Sequence, residues 1–118
     1  MCGWPMSMNL GEKLAQEYLV GQGLEFLTAN FRLRIGEIDL IMRDGDCLVF
    51  VEVKYRSSDR YGTSVEQVTA GKIRRIKQVA QAYLQRYCES EPYVRFDVVG
   101  ISPDVTGYRF HWVKGAFE

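Results

Sequence analysis

The sequence predicts a mixed α/β domain with the element order αβββαββ. Two apolar runs flank the dipeptide Asp44-Gly45, which is a strong signal for a β-hairpin. A long stretch after residue 69 carries apolar residues at helical spacing. The chain has 118 residues and is 47% hydrophobic, which suffices for one core but not for two. The expected organisation is a single domain over residues 1–118, with residues 1–8 flexible.

A helix and a weakly alternating strand are the first predicted elements. Asn9 is a suitable N-terminal cap, because its side chain can accept a hydrogen bond from a free backbone N–H group. One face of the following helix is apolar and consists of Leu10, Leu14, Ala15, Tyr18 and Leu19. Gly21 and Gly23 end this helix, and residues 24–32 then predict a strand.

The hairpin strands are predicted at residues 36–42 and 47–55, and the rest of the chain alternates between loops and regular elements. The later elements are a polar loop at 57–63, a helix that Thr69 or Ser64 caps and Glu91-Pro92 ends, and strands at 93–101 and 108–113 with turn signals at Pro103-Asp104 and Gly107. No internal repeat or low-complexity segment divides the sequence.

Three charged residues interrupt the apolar hairpin strands: Asp39 in the first, and Glu52 and Lys54 in the second. Moving a carboxylate out of water is costly unless a metal ion, an opposite charge or hydrogen bonds compensate for it. Two acids and a lysine in a half-buried hairpin therefore indicate a functional site. The alternative is a solvated hairpin with an ordinary glutamate–lysine pair.

A two-residue turn at Asp44-Gly45 predicts the register of the hairpin. A type I′ turn needs positive φ at both central positions, which Asp and Gly tolerate. With this turn Asp39 lies opposite Phe50, and Glu37 lies opposite Glu52. Asp39 and Glu52 are then diagonal neighbours on one face, with Cα atoms about 7–8 Å apart. A longer turn or a bulge would shift this register.

These residue types fit a divalent-metal centre that hydrolyses phosphodiesters. The carboxylates of Asp39 and Glu52 can hold Mg²⁺ or Mn²⁺, which polarises the phosphodiester and lowers the pKa of a bound water. Lys54 lies two residues beyond Glu52, so it points to the same face. Its charge can orient the water or stabilise the transition state there. The sequence has no obvious serine elbow or Cys/His pair, so water is the expected nucleophile.

The hairpin pattern resembles the signature of the PD-(D/E)XK nuclease superfamily, with an acid on one strand and Glu-x-Lys on the next. From residue 10 to about residue 101, the chain resembles the YraN family of small bacterial proteins. The matching residues are Gly11, Glu12, Ala15, Tyr18, Leu19, Gly23, 30–32, 36–41, 49–54, Arg56, Gly62, Lys72 and 95–97. The chain departs from the superfamily pattern at Ile38, where a proline often precedes the first acid.

The YraN family is described as predicted endonucleases distantly related to archaeal Holliday-junction resolvases. The resemblance implies a restriction-endonuclease-like fold, in which helices flank a mixed sheet. It implies a Mg²⁺-dependent endodeoxyribonuclease that is selective for branched or junction DNA. It also suggests a homodimer that would place two active sites on two DNA strands.

A glutamate of the first helix often completes the active site in this superfamily. Glu12 and Glu17 both fall just outside the apolar face of the helix, so periodicity does not choose between them. The resemblance favours Glu12 as a catalytic residue. Opposite Glu52, Glu37 would repel that carboxylate unless a nearby positive charge offsets the repulsion. Glu37 is therefore expected to support the metal ligands without binding the ion.

Basic residues form three clusters that could grip phosphates around the acidic centre. They are Arg32 and Arg34, then Lys54, Arg56 and Arg60, and finally Lys72, Arg74, Arg75 and Lys77. Arg32, Arg56 and Lys72, which also match the family, are the expected nucleic-acid contacts. The alternative for Arg74, Arg75 and Lys77 is an ordinary solvated helix face. The chain carries 15 basic and 15 acidic residues, so its net charge indicates no partner.

The cysteines Cys2, Cys47 and Cys88 are odd in number and lack the spacing of a zinc site. Reduced thiols and a start without a signal peptide predict a cytoplasmic protein. Neither a membrane partner nor a small-molecule cofactor is expected. His111 is the only histidine and receives no role.

The sequence thus favours a metal-dependent, structure-selective DNA endonuclease of recombination or repair. Two other hypotheses stay open, a nucleic-acid-binding module without turnover and a protein-interaction subunit. The residues also leave open whether DNA or RNA, and whether a branched, single-stranded or linear molecule, is the preferred substrate.

Overall fold

The computed structural model describes residues 8–56 and 68–118. Its elements are α1 (Leu10–Gly21), β1 (Glu25–Leu33), β2 (Gly36–Asp44), β3 (Cys47–Tyr55), α2 (Ala70–Tyr87), β4 (Tyr93–Asp104) and β5 (Gly107–Phe117). The order αβββαββ and the mixed α/β class predicted from the sequence are confirmed. Among the described helices, none is long and apolar enough to cross a membrane.

The five strands form one mixed sheet in the spatial order β1-β2-β3-β4-β5. The only parallel pair in the described sheet is β3 with β4, and the other neighbours are antiparallel. A parallel pair needs a crossover connection, and the connection between β3 and β4 contains α2. The antiparallel strands β2 and β3, by contrast, are joined by a tight turn.

The two helices cover opposite faces of the sheet, and each face has its own core. Ala15 and Leu19 of α1 pack in one cluster with Val49 and Val51 of β3. The α2-facing cluster contains Leu48, Phe50, Ile76, Val79 and Val98. Successive side chains of a strand alternate between faces, so β3 is buried on both sides. Glu52 and Lys54 continue the α2-facing row of this central strand.

Both helices begin at the end of the sheet where β3 ends. Asn9 caps α1 by accepting a hydrogen bond from the Glu12 N–H at 2.8 Å, as predicted. Thr69, rather than Ser64, caps α2, and its hydroxyl accepts from the Lys72 N–H at 3.2 Å. The positive ends of two helix dipoles therefore lie near the last residues of β3.

The turn of the central hairpin differs from the prediction. Asp44 pairs with Cys47, so the turn residues are Gly45 and Asp46 instead of Asp44 and Gly45. Gly45 has a φ of 63°, as the first central residue of a type II′ turn has. Arg95 of β4 donates a hydrogen bond to the Asp44 carboxylate at 3.0 Å and so ties this residue into the strand.

The corrected turn moves every cross-strand pair of the hairpin by two residues. The last pair before the candidate site is Leu40 with Val51, which brings Asp39 and Glu52 to directly opposite rather than diagonal positions. Phe50 pairs with Ile41 instead of Asp39. Because side chains alternate with a period of two, this shift leaves both acids on the predicted face.

Three further expectations differ from the structure or lie outside it. Pro103 and Asp104 belong to β4, where Pro103 pairs with Tyr108, and the turn lies at residues 105–106. Met8 was expected in a flexible segment, but it is 5% exposed and packs in the α1-facing core. Predictions for residues 1–7 and 57–67, which include Cys2, Arg60, Gly62 and the polar loop, lie outside the described residues.

Asp97 of β4 is a fully buried carboxylate whose role the sequence did not reveal. Its oxygens accept hydrogen bonds from Arg95 Nε and Nη2, from Trp112 Nε1 and from the Gly115 N–H. Gly115 has a φ of 60°, and the β4–β5 register shifts beside Asp97. Asp97 therefore fastens a bulge of β5 to the central strands.

Candidate active site

A cavity of about 210 Å³ opens where β2 begins and β3 ends. Its walls come from α1 with its cap, β2, β3 and α2, and they consist of Asn9, Gly11, Glu12, Glu37, Asp39, Glu52, Val53, Tyr55 and Lys72. The structure thus brings together both predicted metal ligands, the first-helix glutamate and one of the predicted nucleic-acid contacts. A larger depression of about 440 Å³ at the end of α2 contains Leu84, Cys88 and Pro92 and lies apart from these residues.

At the point where β2 and β3 separate, the Asp39 side chain takes the place of a backbone carbonyl as a hydrogen-bond acceptor for β3. The Val53 N–H donates a hydrogen bond to Asp39 Oδ2 at 2.8 Å. Burial and the charge of Glu52 raise the pKa of Asp39 to about 8, and the hydrogen bond from the Val53 N–H offsets only part of this increase. Glu12 adds a smaller repulsion to this carboxylate. The protonated form of Asp39 is therefore favoured in the metal-free protein.

Glu52 is only 3% exposed and has a lysine on each side. Its Oε2 atom lies 2.5 Å from Lys72 Nζ and 3.4 Å from Lys54 Nζ. Both contacts are ion pairs, so two lysines compensate for the buried charge of Glu52. Burial lowers the pKa of Lys72, but its contact with Glu52 outweighs burial and raises it overall.

Lys72 was expected to contact nucleic acid, and its side chain lines the cavity, where its ammonium group pairs with Glu52. The other basic residues of its cluster, Arg74, Arg75 and Lys77, are exposed. Lys72 lies in the first turn of α2, close to the Thr69 cap. The cap therefore determines which lysine of the helix reaches Glu52.

The first helix directs Glu12 to the cavity, whereas Glu17 is exposed elsewhere on α1. Glu12 Oε1 accepts a hydrogen bond from the Asn9 N–H at 3.2 Å and from Asn30 Nδ2 at 3.1 Å. Asn30 belongs to β1 and has a φ of 54°, a left-handed conformation that asparagine adopts more readily than most residues. The structure adds Asn30, which the sequence reasoning left without a role, as the residue that orients Glu12.

Glu37 also lines the cavity, and its charge is offset by Arg32. These residues are cross-strand partners, and Arg32 Nη2 lies 2.9 Å from Glu37 Oε2. Both side chains are largely exposed, so the pair adds little to stability. The predicted opposition of Glu37 and Glu52 is wrong, because the hairpin register differs.

Arg56 lies just after β3 and outside the lining of the cavity. Its N–H donates to the Ile101 carbonyl at 2.8 Å, and its side-chain Nε is buried without a hydrogen-bond partner. His111 lies on β5, where it pairs with Gly100 of β4; it is exposed and does not line the cavity. Cys47 and Cys88 are free thiols that also lie away from this cavity.

The arrangement fits a divalent cation held by two carboxylates. The charge of Glu52 raises the pKa of Asp39, and both carboxylates line the cavity. A divalent ion between them would compensate for this repulsion. Within the described ranges no cluster of three or more His, Cys, Asp or Glu side chains could hold an ion. Mg²⁺ needs no such cluster, because it commonly binds one or two carboxylates and keeps several waters.

The mixed sheet between two helices and the acidic cavity at its end define a protein of the restriction-endonuclease-like class. The profile of a family described as "Uncharacterised protein family UPF0102" matches residues 11–101. The chain belongs to this family, and the resemblance to the YraN proteins is confirmed.

Curated UPF0102 proteins from several bacteria are similar to the chain over nearly its whole length. A protein from Alkalilimnicola ehrlichii is 48% identical over 110 residues, which cover 92% of this chain and 84% of the relative. One from Symbiobacterium thermophilum is 47% identical over 109 residues and 92% of each chain. One from Methylococcus capsulatus is 41% identical over 114 residues, covering 97% of this chain and 92% of the relative.

Proposed function

We propose that the chain is a Mg²⁺- or Mn²⁺-dependent DNA endonuclease, selective for branched or junction DNA and acting in recombination or repair. The observation that carries this proposal is the pair Asp39 and Glu52. A half-buried and a buried carboxylate lie side by side in one cavity, and the pKa of Asp39 is raised. A strongly perturbed carboxylate beside charged partners in a cleft is typical of a functional site.

Each side chain has a distinct role in this proposal. Asp39 and Glu52 would hold the divalent ion, which would supply Lewis-acid chemistry for phosphodiester hydrolysis by water. Lys54 and Lys72 keep positive charge beside Glu52, where the phosphodiester gains negative charge during attack. Glu12 contributes a third carboxylate at the cavity, oriented by Asn9 and Asn30.

Proposed contacts with DNA lie around the cavity rather than on one strongly basic face. Lys72 combines a place in the cavity with a charge that a phosphate can share. Arg56 and Arg32 are proposed to contact the flanking phosphates, although Glu37 already neutralises part of the charge of Arg32. A cytoplasmic homodimer that acts on two strands is the corresponding proposal for location and assembly.

A cleavage panel tests the proposal directly. Branched, flapped, single-stranded and linear DNA are incubated with the protein in Mg²⁺, in Mn²⁺ and in EDTA. The expected result is cleavage that requires the ion, prefers the branched substrates and is lost in Asp39→Asn. Asp46→Asn is the matched control, because Asp46 is an exposed acid in the turn of the same hairpin.

Two results would count against the nuclease. Cleavage that is equal in wild type and Asp39→Asn would mean that a contaminating enzyme cuts the DNA. Salt-sensitive binding without cleavage in either ion would support the nucleic-acid-binding module instead.

A further inference from the structure

Two exposed tyrosines lie side by side at the edge of the cavity. Tyr55, the last residue of β3, lines the cavity with Asp39 and Glu52 and is 44% exposed. Tyr108, near the start of β5, is 40% exposed. Their ring centroids are 6.4 Å apart, and the ring planes are inclined by 60°. The pair therefore presents aromatic surface to solvent beside the candidate metal ligands.

The backbone holds Tyr55 in place. A Cβ atom added to Gly11 would lie 3.1 Å from Tyr55 Cβ, so the start of α1 and the end of β3 approach each other as closely as a glycine allows. Tyr55 continues the α1-facing row of Val49 and Val51, which are buried, and itself remains accessible. Its position is fixed while its ring stays available for a contact.

Tyr108 ends a row of aromatic residues on β5. Phe110 stacks on Tyr18 of α1 with centroids 4.4 Å apart, and Trp112 contacts the same tyrosine edge-on. Phe110 and Trp112 are thus covered by the helix, whereas Tyr108 lies beyond them and is exposed. The fold covers the inner part of the row and leaves the end next to the cavity open.

We propose that Tyr55 and Tyr108 form a subsite that stacks on an unpaired DNA base next to the scissile phosphate. Inside a duplex both faces of a base are covered by its stacked neighbours, whereas an unpaired base can turn a face to these rings. Stacking of a base on an aromatic side chain changes affinity by about 5- to 150-fold. This inference rests on the proposed function and specifies its substrate: DNA with a single-stranded segment at the cleavage position.

The neighbouring charges favour a nucleotide as the occupant of this surface. Lys54 and Lys72 hold positive charge at Glu52, and Tyr55 lines the same cavity as Glu52 and Lys72. A nucleotide combines a phosphate that can reach such cations with a flat base that can stack on the adjacent rings.

Binding to two single strands of equal length tests the subsite. One strand carries bases with a 2-aminopurine reporter, and the other is abasic, so it keeps the phosphates and lacks the stacking surface. Binding is measured by fluorescence anisotropy in Ca²⁺, which holds the DNA uncut. The expected result is at least about 5-fold tighter binding of the strand with bases, with quenching of the 2-aminopurine.

Substitutions then assign this preference to the tyrosines. Tyr55→Leu and Tyr108→Leu should reduce binding of the base-containing strand at least about 5-fold and leave the abasic strand unaffected. Tyr55→Phe and Tyr108→Phe should retain the preference, because the ring remains. Tyr93→Leu is the matched control. Tyr93 is 73% exposed and pairs with Cys47, about 26 Å along the sheet from Tyr55.

The outcomes separate this inference from the proposed function. Equal binding of the two strands by wild type, or an unchanged preference in both leucine variants, would overturn the stacking subsite and leave a nuclease that contacts phosphates only. If wild type binds neither strand and cleaves no DNA, the proposed function and the subsite both fail.

Discussion

The raised pKa of Asp39 predicts that metal binding depends steeply on pH. Burial and the charge of Glu52 raise this pKa to about 8 in the metal-free protein. A divalent ion binds the ionised carboxylate, so it must displace a proton whenever the pH is below this value. The affinity for Mn²⁺ should therefore increase with pH in a range where ordinary carboxylates are already fully ionised.

The magnitude follows from the fraction of ionised Asp39. With a pKa of about 8, Asp39 is ionised in about 1% of molecules at pH 6 and in about half of them at pH 8. The apparent association constant should rise about 50-fold between these two values and level off above about pH 9. The contact with Glu52 raises the pKa of Lys72, so this lysine stays protonated over the range and the increase reports the carboxylate.

Isothermal titration calorimetry with Mn²⁺ at several pH values measures this dependence, and buffers of different ionisation enthalpy count the released protons. Asp39→Asn should bind the ion weakly and without the increase, whereas Asp46→Asn should behave as wild type. A Mn²⁺ affinity that stays constant between pH 6 and pH 9 would refute the assignment of Asp39 as a ligand with a raised pKa.

The same pKa predicts how the stability of the metal-free protein changes with pH. Folded Asp39 holds its proton up to about pH 8, while unfolded Asp39 loses it near 3.8. The folded state therefore binds more protons between these values, and the free energy of unfolding should fall as the pH rises through this window. The slope is at most about 1.4 kcal/mol per pH unit from this group. Asp39→Asn should remove this contribution, as denaturant titrations at pH 5 and pH 8 would detect.

Three further predictions concern catalysis, orientation and folding. Lys54→Ala should lower the single-turnover cleavage rate about 10²–10³-fold while sparing Mn²⁺ affinity, and a wild-type rate would reduce Lys54 to a counter-charge for Glu52. Asn30→Gly should retain most stability, because glycine accepts the φ of 54°, but it should slow cleavage by releasing Glu12. Asn30→Ala should lower both the stability and the cleavage rate, and equal cleavage by these two variants and the wild type would argue against the orienting role. Asp97→Ala should lower the free energy of unfolding, measured by urea titration, by about 3–5 kcal/mol, because Arg95 and the other donors lose a buried partner. A loss below about 1 kcal/mol would contradict this account.

The sequence by itself determined the elements and the face on which the hairpin acids lie. Side chains of a strand alternate with a period of two, so Asp39, Glu52 and Lys54 were assigned to one face from their spacing alone. The predicted register was wrong by two residues, yet the face was right, because an even shift preserves it. Asn9 could also be identified as a cap, and Thr69 was one of two candidates, because a helix cap depends on residues within one turn.

The tertiary structure decided the turn and the contacts of the first helix. Arg95 binds Asp44, although the two residues are 51 positions apart in the sequence. The residues next to the turn do not reveal this contact, so the turn could not be placed correctly from the sequence. Glu12 and Glu17 were equivalent by helical periodicity, and only the packing of α1 on the sheet brings Glu12 beside Asn30. Local preferences are too weak to choose among such long-range arrangements.

The tertiary structure also decided what the basic and aromatic residues do. Lys72 was expected to contact nucleic acid, and its contact with Glu52 was not predicted. This contact forms because α2 lies in the crossover from β3 and begins beside the end of that strand. Tyr55 and Tyr108 meet because β3 and β5 flank β4. Burial of the two apolar cores aligns the strands and helices, and this alignment alone brings distant charges and rings to one cavity.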